Sequence, residues 1–155
     1  MDVILATDSH VPEIIDLWKE FMDFHKDIDP RFPIRGDAPL EWKKHLRGLM
    51  QSENVLILVA IDENQMVGFS ISLINRYTPI WKREFYGAID SIAVKSEYRR
   101  QGIGEQLLVK IFEWFESLKI DRIEVSVAAR NQVGYSFWKK HGFQDYTHRL
   151  YLDRR

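Results

Sequence analysis

The sequence predicts a mixed α/β (α+β) fold, a mixed sheet covered by helices, and three observations carry that expectation. Apolar residues switch along the chain between a helical rhythm and strand-like runs. The elements fall in the order β-α-α-β-β-β-α-β-α-β, which combines hairpins with crossovers. The chain has 155 residues, 45% of them hydrophobic. That length suits one domain burying roughly 70% of its unfolded surface, and no repeat, low-complexity tract or linker divides it.

Each element has a local reason. Val3 to Ala6 is a short apolar run, and Thr7-Asp8-Ser9 reads as a loop ending in a helix cap. After Pro12, residues Ile14, Ile15, Trp18, Phe21, Met22 and His25 repeat at i, i+3, i+4, i+7, the stripe of an amphipathic helix. Asp29-Pro30 and Phe32-Pro33 break it. Leu40, Trp42, Leu46, Leu49 and Met50 mark a second, shorter helix. Val55 to Ile61 is the continuous run of a strand buried on both faces. The turn Asp62 to Gln65 leads to a strand alternating Val67, Phe69, Ile71 and Leu73 with small residues. Asn75 to Trp81 is a loop, and Phe85 to Val94 a further strand. Ile103, Leu107, Leu108, Ile111, Phe112, Phe115 and Leu118 outline a long helix. A strand over Ile123 to Val127, a short helix over Asn131 to Lys140 and a last strand from about Asp145 to Leu152 complete six strands and four helices.

Composition excludes several functions. With 22 Lys+Arg against 23 Asp+Glu, a formal net charge of −1 offers no field for a phosphate backbone, so no nucleic-acid partner is expected. The absence of cysteine removes disulfides, thiolate catalysis and Cys-ligated metals. No apolar run approaches the ~18 residues of a membrane span, and the first residues lack the features of a signal peptide. No membrane partner is expected, and the expected location is cytoplasmic.

Chemistry concentrates in Ile92-Ala93-Val94-Lys95-Ser96-Glu97-Tyr98-Arg99-Arg100-Gln101-Gly102-Ile103-Gly104-Glu105. A strand ends, a polar loop follows, and two glycines open the long helix. Glycine lets backbone approach a ligand, and the first amides of a helix lack internal partners and lie at the positive end of the macrodipole. A pyrophosphate suits such a place, although Gly-x-Gly alone also serves plain turn geometry. The dinucleotide fingerprint fails because Leu107 stands where a third glycine is required, and no Gly-Lys-Ser/Thr occurs.

Arg99-Arg100-Gln101-Gly102-Ile103-Gly104 resembles the Arg/Gln-x-x-Gly-x-Gly/Ala signature of the GCN5-related N-acetyltransferase (GNAT) superfamily, and Ile92 to Tyr98 resembles the strand and loop leading into it. A second block, Asn131 through Trp138 to Gly142-Phe143, resembles the family's fourth helix and the Gly-Phe after it. The resemblance implies a single domain over residues 1–155, with acceptor-side elements in about 1–82 and a coenzyme-binding core in about 84–143. Its sheet would be mixed and mostly antiparallel, of about six or seven strands splayed into a V and flanked by about four helices. It implies acetyl-CoA as donor and direct transfer to a primary amine, on a small molecule or a peptide. Backbone amides from Arg100 to Glu105 would cradle the pyrophosphate, with Arg99, Arg100 and Lys95 supplying charge. Lys95 reads equally as part of a solvated loop. Ile92, Ala93 and Val94 would pair with the pantetheine arm, and Asn131 would contact it. Dimers are common in the family, so a homodimer is compatible.

Proton transfer is where this chain departs from the pattern. An aliphatic amine of pKa ~10.4 must lose a proton before attacking, which costs about 4–5 kcal/mol at pH 7, so a base is expected. The thiolate leaves more easily, at a thiol pKa of ~8.5. The family's usual acid, a Tyr, falls at Trp138, whose indole is no practical proton source. Tyr135, about a turn earlier, reads as a substitute or as an ordinary packing residue. The family's usual strand Glu falls at Ala88. Asp90, given the same side-chain parity as Ala88, Ile92 and Val94, becomes the first base candidate, or else a carboxylate bonded to backbone or Arg. Glu84 is the second candidate, and Ser126 holds a position where relatives carry His or Glu. A coenzyme-binding regulatory domain without turnover is the rival reading.

For the acceptor side, Trp18 and Phe21 belong to the helix core, whereas Phe24, Tyr77 and Trp81 are candidate pocket residues. Glu20, Asp23, Asp27 and Asp29 form an acidic stretch that either attracts a cationic amine or is a solvated helix face. The five histidines show no metal-ligand spacing, so no metal is expected.

Overall fold

The computed structural model describes residues 1–31 and 33–154. Phe32, assigned by its sequence to the break after the first helix, lies outside them. The strands are β1 (Asp2–Leu5), β2 (Val55–Asp62), β3 (Gln65–Arg76), β4 (Phe85–Val94) and β5 (Ile123–Val125), and the helices are α1 (Val11–His25), α2 (Ala38–Met50), α3 (Ile103–Ser117) and α4 (Gln132–Lys140). The strands form one sheet in the order β1-β2-β3-β4-β5. The first four run antiparallel, and β5 joins β4 in parallel through the α3 crossover.

Two apolar clusters, one on each face of the sheet, follow from strand alternation. Ile57, Val59, Phe69, Ile71 and Ala93 pack with Val11, Ile14, Leu17 and Trp18 of α1 and Leu46 of α2. Trp18 stacks on Trp42 at 4.7 Å, which joins the two helices over Phe69. On the other face Leu56, Leu58, Ala60, Val67 and Ile89 pack with Ile103, Leu107, Leu108, Ile111 and Phe115 of α3. Beneath α3 the sheet carries small residues. A Cβ on Gly87 would lie 2.5 Å from the Phe115 ring, and one on Gly68 would press on the Ala93 carbonyl at 3.0 Å and on Ile103 at 3.3 Å. Ser70 and Ser72 share that face by register, fully buried with their hydroxyls unpaired. Small side chains there let the helix lie close, and the two lone hydroxyls are its cost.

Among the described residues the expected six or seven strands are corrected to five. Residues 145–152 are not a strand: Tyr146, Leu150, Tyr151 and Leu152 are exposed and without regular structure. A strand forms only against an edge. Here the root of the segment is held by side chains instead, with Asp145 bonded to Tyr135 and Lys139 and the Arg122 guanidinium over the Tyr146 ring at 4.7 Å. The strand expected to Val127 ends at Val125.

Candidate active site

The site begins where two strands part. β4 and β5 pair only at Gly87↔Ile123, Ala88↔Glu124 and Ile89↔Val125. β5 then ends, while β4 continues to Val94 with no strand on that side among the described residues. A β-bulge falls at the same point. Against β3, Ser91 pairs with Ile71 and Ile89 with Ser72, so Asp90 is the extra residue. A bulge bends its strand and increases its twist, which carries the rest of β4 away from β5.

The bulge also corrects the expected parity. Before it, Gly87 and Ile89 face α3; after it, Ile92 and Val94 pack on that side and Ala93 turns to α1. Asp90 therefore does not share a face with both Ala88 and Ile92. It is solvent-accessible in the cleft, yet the surrounding walls withdraw enough water to push its carboxyl above the ordinary aspartate range, against the opposing pull of His45 and Arg31. A carboxyl displaced upward is better matched to taking a proton near neutral pH.

Beside the parted strands lies the start of α3. Gly102 caps it in the left-handed region at φ 79°, and Arg100 occupies the same region at φ 62°. That conformation disfavours an arginine, so the loop is held there by its surroundings. The first helical turn bond runs from Gln106 N–H to Gly102 O, which leaves the amides of Ile103, Gly104 and Glu105 without helical acceptors. Ile103 itself buries its side chain in the core, so its contribution here is backbone alone. Gly104 also serves packing: a Cβ there would meet the Phe137 ring of α4 at 3.2 Å. Glu105 sits at the same helix end. Its own amide, then Lys140 and His141, hold its carboxyl below the usual range despite partial burial. Lys140 reaches it at 3.3 Å and His141 at 3.6 Å, tying α4 to α3.

The preceding turn is braced from the other face of the sheet. The Ser96 N–H donates to Glu20 of α1 at 3.0 Å, and Arg99 lies 4.0 Å from the same oxygen. Arg99 also donates to the Val94 carbonyl and places its guanidinium over the Phe24 ring at 5.6 Å. Gln101 donates to the Glu97 carbonyl, closing the turn. The acidic stretch at the end of α1 and just beyond it is thus largely committed, with Asp23 paired to Lys26 and Asp29 to Arg31.

Asn131 caps α4 by accepting the Gly134 N–H at 2.9 Å, so tightly that a Cβ at Gly134 would lie 2.6 Å from its amide nitrogen. Trp138 is a core residue, 9% exposed, edge-on to Phe143 at 5.1 Å. Tyr135 is exposed and donates its hydroxyl to Asp145 at 2.9 Å, which raises its pKa. Glu84 precedes β4 and pairs with Arg76 at 2.9 Å, and Ser126 is exposed just past β5.

Toward α1 and α2 the wall is aromatic. Tyr77 stacks on Tyr86 at 4.3 Å and donates to Glu124 of β5 at 2.5 Å. Burial, reinforced by Glu124, pushes its pKa up to about 12. Phe24 is half-exposed and Trp81 largely exposed. Sequence reasoning did not find Arg31, His45 or Glu124, and took Glu20 only as part of an acidic stretch, because each meets the site through tertiary contact and no local spacing marks it. Among the described residues no group of His, Asp and Glu side chains is placed to hold a metal, and no helix is long and apolar enough to cross a membrane.

The chain belongs to the acetyltransferase (GNAT) family, whose sequence profile matches residues 13–143. Solved structures agree in fold. A point mutant of the BH1408 protein from Bacillus halodurans is 20% identical, with a TM-score of 0.89 and 100% of both chains covered. The aminoglycoside 6'-N-acetyltransferase AAC(6')-Ig from Acinetobacter haemolyticus is 16% identical, with a TM-score of 0.80 over 100% of this chain and 99% of that one. AAC(6')-Iy, solved with a bisubstrate analog, CoA-S-monomethyl-acetylneamine, is 17% identical, with a TM-score of 0.75 over 99% of this chain and 97% of that one. No curated protein matches the sequence.

Proposed function

We propose that this protein is a single-domain N-acetyltransferase moving an acetyl group from acetyl-CoA to a primary amine by direct transfer. One observation carries the reading: β4 leaves β5 at the Asp90 bulge, beside a helix end whose first three amides have no helical partner. The amides of Ile103, Gly104 and Glu105, with Arg100, fit a pyrophosphate. The open edge of Ile92, Ala93 and Val94 fits an extended arm laid along it as an added strand. Acetyl-CoA supplies the acetyl group as a thioester, the amine nitrogen forming the new bond to carbon as the carbon–sulfur bond breaks.

The residues of the chain manage the proton. Asp90, at the point where the strands part, takes the proton of the ammonium directly or through water. Its raised pKa narrows the gap to the amine, and His45 and Arg31 hold its charged form within reach. Trp138 donates no proton from the core, so the thiolate departs unaided or takes its proton from solvent. The aminoglycoside N-acetyltransferase AAC(6')-Iy, solved with a bisubstrate analog of CoA, supports a small-molecule amine as acceptor.

The test is release of CoA thiol from acetyl-CoA over a panel of amines, read with a thiol-reactive dye. The protein has no cysteine and so contributes no background. Amine-dependent thiol release is expected. Tight acetyl-CoA binding without release on any amine would favour a coenzyme-binding regulatory domain instead, the role to which a buried Trp138 in place of a phenol is suited.

A further inference from the structure

Directly across the β4–β5 pair, Ala88 stands opposite Glu124. Ile123 and Val125, on either side of Glu124, pack with the α3 cluster, so Glu124 turns to the other face of the sheet. That is the face on which Tyr86 lies and on which Tyr77 stacks at 4.3 Å. The Tyr77 hydroxyl donates to Glu124 Oε2 at 2.5 Å, and Arg122 Nε donates to the same oxygen at 3.2 Å. Both bonds fall on Oε2, and among the described residues nothing donates to Oε1. The side chain is 24% exposed and lines the same cleft as Asp90. Ala88 is short enough to leave its flank open.

A carboxylate with one oxygen fixed and the other free, beside stacked aromatic rings, matches the needs of an alkylammonium. The free oxygen accepts a charge-assisted hydrogen bond, and the ring faces of Tyr77 and Tyr86 favour a nearby cation. We propose that Glu124 is an acceptor-binding residue that receives an aliphatic ammonium at Oε1, with Tyr77 as its positioning residue. The proposal rests on the N-acetyltransferase reading and sharpens its substrate class, to amines that are cationic at neutral pH in preference to uncharged arylamines. Tyr77 suits its part because burial and Glu124 push its pKa up to about 12, so its hydroxyl stays a donor near neutral pH.

The test is steady-state kinetics with acetyl-CoA and matched aliphatic and aromatic amines, for wild type, Glu124→Gln and Tyr77→Phe, with melting curves and acetyl-CoA affinity measured alongside. Losing one charge-assisted hydrogen bond should raise KM for the aliphatic amine about 10- to 100-fold in Glu124→Gln. Tyr77→Phe should move KM the same way by less. Acetyl-CoA affinity should stay put, and the preference for aliphatic over aromatic amines should collapse. A folded Glu124→Gln enzyme with wild-type KM and preference overturns the assignment while leaving the acetyltransferase reading intact. Should that variant misfold, an unchanged KM in folded Tyr77→Phe overturns it equally. If wild type turns over no amine at all, the acetyltransferase reading fails and the role of Glu124 falls with it.

Discussion

The two ends of the cleft are built by different means. The proposed coenzyme end is backbone: Gly102 and Arg100 in the left-handed region, three amides without helical acceptors, and a strand edge left open by its neighbour. The proposed acceptor end is side chain: Asp90 of β4, His45 of α2, Arg31, Tyr77 and Glu124 of β5, gathered from five separate segments. Backbone geometry is set by a few local residues and tolerates change around it. A wall of side chains depends on every element that contributes to it. A family can therefore keep its donor site while its acceptor site drifts.

This contrast can be broken in stated ways. The largest effect is expected at Asp90. Asp90→Asn should lower kcat about 100- to 10,000-fold, the usual span for a lost general base, while acetyl-CoA affinity is unchanged. Wild-type turnover would make Asp90 structural and remove the proton-transfer role from the acceptor wall.

Next comes Gly102→Val. A Cβ there meets nothing within 4 Å, so the cost is the left-handed backbone, roughly 1–2 kcal/mol for a residue other than glycine. The variant should fold yet lose about tenfold or more in coenzyme affinity, because relaxing the loop redirects the amides. Unchanged affinity in the folded variant would mean that the amides do not hold the donor.

A smaller effect lies in stability against pH. The folded state raises the Asp90 pKa, so it binds the proton more tightly than the unfolded chain does. The stability penalty is absent below the unfolded value of about 3.9 and grows as pH rises through the raised folded value. Asp90→Asn should therefore melt higher than wild type at pH 7, with the gain vanishing toward pH 3. A gain that persisted at low pH would point to packing instead. Smallest of all, Tyr135→Phe should leave turnover unchanged, since its hydroxyl is engaged by Asp145 on exposed ground. A marked fall in kcat would return Tyr135 to the role of acid.

The same division decided what was legible in the sequence. The strand–loop–helix around Gly102 and Gly104 was readable because the residues that shape it are contiguous. The bulge was not, since it exists only in the register of β4 against β3, where one residue too many faces Ile71 and Ser72. Parity counted along β4 alone therefore put Asp90 on the wrong footing. The hydrogen bond between Tyr77 and Glu124 spans 47 residues and carries no pattern. The final segment misled in the opposite direction. Its Tyr146, Leu150 and Leu152 fall at one strand parity, but parity describes a face and supplies no partner, and these side chains stand exposed. The paired carboxyl and phenol at Asp145 and Tyr135 are likewise contacts that only the folded chain brings together.

The most direct test of the central claim, that the parted strands and the α3 end hold acetyl-CoA, is a thermal melt with and without the coenzyme. At about 100 times its Kd a ligand adds roughly 2.7 kcal/mol, which for a chain near this size raises Tm by about 5–11 °C. A rise of that order with acetyl-CoA, absent with ATP or NAD and lost in Gly102→Val, is the expected result. An unmoved Tm at millimolar acetyl-CoA would contradict it and take the transferase reading down as well.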